Sequence, residues 1–534
     1  MSVLYWNKLM NEKDERKIND KYLYLILIGI FILTYILFLG SYPLLDVDET
    51  RYVDMAKKML HTKDYLTLYL NGEYFFEKPP LFFWLEILSF KLTGVANEWS
   101  ARLPIVLLSI IPSAFLFMLS KKVENIKFGF INTLILMTSL EYIILTKIAI
   151  LDSVLTSTVT TAVLCYFFTF FVKEENKKYF WALVYIFTGL AVLAKGIPGV
   201  AIPCAVIFVA SIYFKTYKGT LKSLIWGIPI FLVVVLPWHI IMLFKYKALF
   251  FNEYIIKHHL LRFIGSDVIN RRQPFYFFVL TILWGFFPYI FTLLGEIPNL
   301  FKKKSFSLNT DCDKFIFLNI IAAVMTLLFF SSSSTKLITY ILPIYPYLTV
   351  IVGKSFYDFI INDRKSTKIS LIILNTLLVV GAIGGLFLNY LLPSDYLISV
   401  QALQRFGIIA VILFSTINIY LLVKNKRFLC FISITIFMVF LSCIGAPIIY
   451  KYDYSFGQDD LIKFAKFAKE NNYTISTRYT GARYSLLYYS DSDKVYFDDK
   501  NAKTDLLIVK NSKLKKLNIT PDIKGVKYSM IIQN

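Results

Sequence analysis

The sequence predicts an α-helical polytopic membrane protein with a small α/β domain at its C-terminal end. Three observations support this. Of 534 residues, 57% are hydrophobic and 17% aromatic, and a mean hydropathy of +0.60 is more than a soluble core can hide. Apolar runs of bilayer-crossing length recur between residues 22 and 449, separated by short basic loops. After Tyr450 the pattern changes, and Lys, Asp and Asn interleave the apolar residues.

At about 20 apolar residues per crossing, the chain yields about thirteen transmembrane helices. They lie near 22–42, 100–120, 128–147, 153–172, 178–194, 197–214, 222–244, 275–296, 314–331, 337–354, 368–391, 404–423 and 427–449. The first follows the charged stretch Lys13-Asp14-Glu15-Arg16-Lys17. No small-residue cleavage site comes after it, so it reads as a retained helix and not a cleaved signal. The run at 81–92 is short and interrupted by Glu86 and Lys91, which fits a helix lying at the interface. In the tail, 461–468 has helical spacing, whereas 473–477 and 505–509 read as strands. Two domains follow: a transmembrane part, 1–449, with long loops at 43–99 and 245–274, and a soluble module, 450–534.

The net charge of +21 and pI near 9.4 come from Lys and Arg in short loops. That distribution is a topology signal and a contact for anionic membrane lipid, and it argues against nucleic acid as a partner. The clusters Lys121-Lys122-Lys127, Lys173-Lys177-Lys178, Lys215-Lys218-Lys222, Lys302-Lys303-Lys304, Arg364-Lys365-Lys368 and Lys424-Lys426-Arg427 mark alternate loops, and these loops and the N-terminus are expected to be cytoplasmic. Both long loops and the tail are then periplasmic. The five cysteines show no metal spacing and read as core residues.

Polar residues of chemical interest gather on the outer side. Asp48, Glu49, Arg51 and Tyr52 follow the first span and open an amphipathic helix through Val53, Met55, Ala56, Met59 and Leu60. Acids at a helix start also favour its dipole, but capping does not call for Arg51 and a second charged cluster nearby. That second cluster is Glu77-Lys78-Pro79-Pro80, in which Lys78 offers a point charge for phosphate and the prolines fix the approach of the next helix. Asp152, Lys195 and Lys336 occupy outer turns, where a carboxylate often caps a helix and a lysine often snorkels to water. The second long loop holds Lys257-His258-His259 and Arg262. Adjacent histidines point apart on a helix and make a weak metal signal, while Arg262 suits phosphate.

Together these residues carry a resemblance. Asp48-Glu49-x-Arg51-Tyr52, Phe76-Glu77-Lys78-Pro79-Pro80, Leu151-Asp152, Ala194-Lys195-Gly196-x-Pro198-Gly199, Arg262-Phe263 and Lys336-Leu337-x-x-Tyr340-x-Leu342-Pro343 resemble the aminoarabinose transferase family. That family has the GT-C fold and is related to protein mannosyltransferases. The resemblance implies a polyprenyl-phosphate-linked sugar donor, undecaprenyl phosphate bearing 4-amino-4-deoxy-L-arabinose, and a lipid A phosphate acceptor at the periplasmic face of the bacterial inner membrane. It also implies catalytic roles for Asp48, Asp152 and Glu49, and substrate or carrier-phosphate binding by Arg51, Tyr52, Lys78, Lys195, Arg262, Lys336 and Tyr340. Glu77 and His259 match the place of a family zinc. The chain departs from the pattern there, with Lys257-His258-His259 where relatives show His-Glu-His before the arginine.

The charges suit the expected chemistry, because cleaving a sugar–phosphate bond leaves negative charge that cations stabilise. Within the same class, another sugar such as mannose or galacturonic acid, or a protein or glycan acceptor, fits the motifs equally well. A transporter or flippase would instead show charges halfway along spans and discontinuous helices in repeated halves, and neither pattern is evident. A structural subunit with a decayed site would not keep Asp48 and Lys78.

Overall fold

The computed structural model describes residues 20–261, 273–300, 308–387, 394–452, 458–518 and 520–533. These form two compact units. The first is drawn from Met1–Phe38, Val106–Lys147 and Leu151–Gly445, and the second from Leu39–Ile105, Ile148–Ile150 and Ala446–Asn534.

The first unit is helical. Among the described residues, seven helices of the chain are long and apolar enough to cross a membrane, or up to nine if each of two bent pairs is one span. The chain is a multi-pass membrane protein, and among the described residues the spans number fewer than the expected thirteen or so. Apolar runs and straight helices are not the same thing. The run at 128–147 divides into Ile126–Met137 and Leu140–Thr146, which meet at 66°, and the run at 275–296 divides into Phe277–Gly285 and Ile290–Asn299, which meet at 120°. Pro288 sits in the second break, where it lacks the N–H that would continue the helix. One other apolar helix, Ile197–Tyr213, falls short of a full crossing. The first run is a helix, Asp20–Phe31, that ends in a π-helical turn, Ile32–Ile36.

Buried polar contacts join helices that would otherwise pack only through apolar surface. Asn375 Nδ2 donates to Asn418 Oδ1 at 2.8 Å, and Asn418 Nδ2 donates to Ser433 Oγ at 2.7 Å. The helices Lys365–Phe387, Ser394–Val423 and Arg427–Tyr452 are thereby fastened to one another. At one end of this group Arg364 bonds to Glu296 and, at 2.9 Å, to Asp358. A cavity of about 760 Å³ lies elsewhere in the unit, walled by Leu27, Phe31, Ile110, Phe117 and Met137 with Lys121 and Lys122 at its rim. It contains none of the expected site residues.

In the second unit the helix Asp48–Thr62 buries Val53, Met55, Ala56 and Met59, the stripe its spacing predicts. Tyr69–Leu70 (β1) and Glu73–Tyr74 (β2) form a hairpin through Asn71 and Gly72, both at positive φ. The 81–92 run forms the helix Leu81–Thr93, closed by Gly94 at φ 74° whose N–H bonds to Phe90 O. The tail folds as an α/β module with the strands Ile475–Arg478 (β3), Val495–Tyr496 (β4), Leu506–Lys510 (β5), Ile523–Lys524 (β6) and Tyr528–Ile532 (β7). Their order is β4-β3-β5-β7-β6, parallel among the first three and antiparallel beyond. Leu461, Phe464, Ile475, Leu486, Val495, Ile508 and Met530 fill its core. Asp460 fixes the β6–β7 turn by accepting the N–H groups of Val526, Lys527 and Tyr528 at 3.1, 2.7 and 3.1 Å. Gly525 is required in that turn, because a Cβ there would stand 2.4 Å from the Asp460 carboxylate.

Candidate functional site

Asp48 is the first residue of its helix, but its side chain does not cap it. The carboxylate turns along the helix to Arg51, whose Nη2 donates to Asp48 Oδ1 at 2.6 Å and to Tyr52 Oη at 2.8 Å. A separation of three residues puts both on one helical face. Asp48 remains 50% exposed, and Arg51 is largely covered. The Arg51 Cζ lies 4.7 Å from the Tyr52 ring centroid, and that ring is held edge-on by Phe82 and Phe83. Arg51 is thus oriented by rings and a carboxylate, and the neighbouring anions Asp48 and Glu77 reinforce its charge against burial. Lys78 is only 9% exposed, with its ammonium 3.8 Å from Glu77 Oε2.

Glu49, expected to be catalytic, is occupied elsewhere. Its Oε1 accepts from Arg102 Nε at 2.7 Å and Ala149 N–H at 2.9 Å, and its Oε2 accepts from Arg102 Nη2 at 2.8 Å and Leu45 N–H at 2.7 Å. The remaining Arg102 donors serve the carbonyls of Leu39, Tyr42 and Pro43 at 2.8–2.9 Å. Both side chains are fully buried. All four acceptor positions of the carboxylate and all five guanidinium donors are used, so Glu49 braces the loop and has nothing left for a ligand. Arg102 was missed in the sequence, where it appears only as one charge at the start of an apolar run.

In the first unit Asp152 stands in the first turn of the helix Leu151–Phe168. Its Oδ1 pairs with Lys195, and its Oδ2 accepts from Thr339 Oγ1 at 3.0 Å. Lys195 Nζ in turn lies 3.9 Å from the Tyr340 ring centroid. The structure thus gathers Asp152 and Lys195, which the sequence places in separate outer turns, with Tyr340 from the expected span 337–354, and adds Thr339, which carried no signal. Lys336 does not snorkel. It is buried and donates to the carbonyls of Gln273 and Ser333 at 3.1 and 2.5 Å.

Arg262 and the His259 side chain lie outside the described residues. Among the described residues no three His, Cys, Asp or Glu side chains gather as a metal site. Glu77 faces Lys78 and Arg51, a cationic setting that does not suit a metal ligand.

The family model described as dolichyl-phosphate-mannose-protein mannosyltransferase matches residues 21–254. An uncharacterized protein of Aquifex aeolicus is 29% identical over 363 residues, covering 67% of this chain and 68% of that protein. A Proteus mirabilis protein named undecaprenyl phosphate-alpha-4-amino-4-deoxy-L-arabinose arabinosyl transferase 2 is 25% identical over 333 residues, 61% of this chain and 58% of its own. The chain therefore spans less than two thirds of that relative. In three dimensions it is similar to ArnT from Cupriavidus metallidurans bound to undecaprenyl phosphate, with a TM-score of 0.78 and 17% identity over 96% of this chain and 97% of that one. The chain has the GT-C fold. The match to the mannosyltransferase model takes in Asp48, Glu77, Lys78, Asp152 and Lys195. The structural likeness extends the GT-C fold over the rest, including the C-terminal sheet.

Proposed function

We propose that this chain transfers 4-amino-4-deoxy-L-arabinose from undecaprenyl phosphate to a phosphate of lipid A at the periplasmic face of the bacterial inner membrane. The observation that carries the reading is the Asp48–Arg51 pair. It is an exposed carboxylate held by a guanidinium on the first helix after the first apolar run, within the stretch matched by a sugar-transferase family model. The name of the Proteus relative and the lipid bound by the Cupriavidus protein support the donor and its carrier; lipid A is the acceptor that the family resemblance implies. With the N-terminus and basic loops cytoplasmic, the Asp48 loop and the tail lie outside, where a lipid-linked donor is available and nucleotide sugars are not.

The reaction is a single displacement with inversion. An acceptor oxygen forms a bond to the anomeric carbon as the bond to the carrier phosphate breaks, and undecaprenyl phosphate leaves with the electron pair. Lys78 and Arg51 hold the carrier phosphate and neutralise its growing charge, a role that the family resemblance also implies for Arg262. Asp48 orients a phosphate acceptor, already ionised, and stabilises positive charge on the sugar; with a hydroxyl acceptor it takes the proton. Asp152, fixed by Lys195 and Thr339, acts as the second acid and Tyr340 flanks the lysine.

Mass spectrometry of lipid A from cells with and without the gene tests the reading. A gain of one aminopentose on a lipid A phosphate, present only with the gene, is expected. Identical lipid A in both would sink this choice of acceptor and direct attention to other envelope glycans.

A further inference from the structure

The tail beyond residue 450 carries no motif that points to chemistry, yet one of its side chains stands beside Arg51. Tyr484 opens the short helix Tyr484–Ser490, and its ring centroid lies 6.0 Å from Arg51 Cζ. With Tyr52 at 4.7 Å and Phe75 at 5.9 Å, three aromatic rings surround one guanidinium. Ring faces attract a cation and limit its motion. Arg51 also has a donor in reserve. Its Nη2 serves Asp48 and Tyr52, but its Nε is buried and has no hydrogen-bond partner among the described residues. A buried donor left unmet is costly, and an anionic oxygen is the acceptor that would relieve it best.

The first loop itself seats Tyr484. Asp46 Oδ1 accepts the Ser485 N–H at 2.8 Å and Oδ2 accepts the Ser485 hydroxyl at 2.6 Å, while Thr50 Oγ1 donates to Oδ1 at 2.6 Å. Asp46 precedes Asp48 by two residues, so the turn that starts the Asp48 helix also fixes the tyrosine next to it. Phe497 packs edge-on against the same ring, with centroids 5.6 Å apart. Further along, Lys57 pairs with Asp491 at 2.5 Å, and Asn71 exchanges two hydrogen bonds with the Val495 backbone at 2.7 and 3.0 Å. These contacts hold the module in register with the loop residues of its own unit.

We propose that the C-terminal module takes part in substrate binding: Tyr484 walls the Arg51 guanidinium and holds it for a phosphate group of a lipid substrate, either carrier or acceptor. This rests on the transferase reading above. Tyr484 is a positioning residue acting through Arg51, and what it positions is the donor Nε that no group among the described residues uses.

The test measures binding of undecaprenyl phosphate and, separately, of lipid A to the purified full-length protein by native mass spectrometry. Wild type, Arg51→Gln, Tyr484→Ala and Tyr484→Phe are compared, and thermal unfolding checks that each is folded. Tyr484→Ala is expected to weaken the same lipid that Arg51→Gln weakens, by about 5- to 20-fold, and Tyr484→Phe to restore most of that affinity because the ring face remains. A loss confined to undecaprenyl phosphate assigns the box to the carrier phosphate. A loss confined to lipid A assigns it to the acceptor. Either supports the inference. If Tyr484→Ala does not fold, Tyr484→Leu keeps the bulk without the ring face and makes the same comparison. Unchanged affinity for both lipids in a folded variant overturns the inference and leaves the transferase reading standing. A wild-type protein that binds neither lipid removes both.

Discussion

Asp48 and Glu49 adjoin one another on a single helix, and each is paired with an arginine. Glu49 and Arg102 are fully buried and bond to each other and to five backbone groups, so that no donor or acceptor of the pair remains unused. Asp48 is half exposed, its partner keeps a buried Nε that meets no partner among the described residues, and aromatic rings take the place of backbone carbonyls. The first arrangement determines a shape, since every valency is met within the protein. The second retains valencies for a ligand. Adjacent acids of the same charge are therefore assigned to stability and to chemistry by what surrounds them and not by their type.

Removing one partner of the closed pair should have the largest effect. Arg102→Ala leaves the Glu49 carboxylate and three carbonyls buried without their donor, a loss of about 3–5 kcal/mol of stability. Thermal unfolding in detergent, or the yield of folded protein, should reveal it. An Arg102→Ala protein as stable as wild type would mean that the pair does not brace the loop.

The open side of the comparison predicts a smaller and different effect. Lys78→Ala removes the contact proposed for the carrier phosphate and should lower kcat/KM by about 10- to 100-fold, while its pairing with partly covered Glu77 contributes less than about 1 kcal/mol to stability. Initial rates against carrier concentration separate the two. A variant that loses stability and keeps its rate would place Lys78 with Arg102 instead.

A third acid on the same helix refines the contrast. Burial pushes the Asp54 carboxyl up to about 6, although Lys58, 3.1 Å away, draws it down. The folded protein therefore holds a proton that the unfolded chain, with its ordinary carboxyl near 3.9, has already released. Stability that Asp54 contributes at low pH is lost as pH rises through about 6. Unfolding temperatures measured from about pH 4 to about pH 7 should decline across that window, and Asp54→Asn should flatten this part of the profile. An identical profile in the variant would assign the decline to other groups.

The parts of this molecule legible in its sequence are the local ones. Apolar runs, the helix after Asp48 and the strands at 473–477 and 505–509 depend on spacing alone, and each has a counterpart in the structure. Asp48 and Arg51 were legible as one charged cluster, and their spacing of three residues lets the helix pair them. Glu49 was misjudged because Arg102 lies 53 residues away, and nothing in a linear chain announces that Asp46 will meet Ser485 across 439. Thr339 and Tyr484 escaped for the same reason, since a threonine or tyrosine amid apolar residues looks like packing until its partner is known. The span count suffered from a different cause. Hydropathy measures where a chain is apolar and is blind to bends of 66° and 120° within an apolar stretch.

The central claim is that Asp48, the acid left open, belongs to a sugar-transfer site while its neighbour holds the fold. It is tested most directly by reconstituting wild type and Asp48→Asn into vesicles with undecaprenyl-phosphate-linked aminoarabinose and lipid A, and following transfer together with thermal unfolding. The account predicts that Asp48→Asn unfolds at the wild-type temperature and loses transfer by about 10²-fold or more. An Asp48→Asn protein that transfers at the wild-type rate would contradict it.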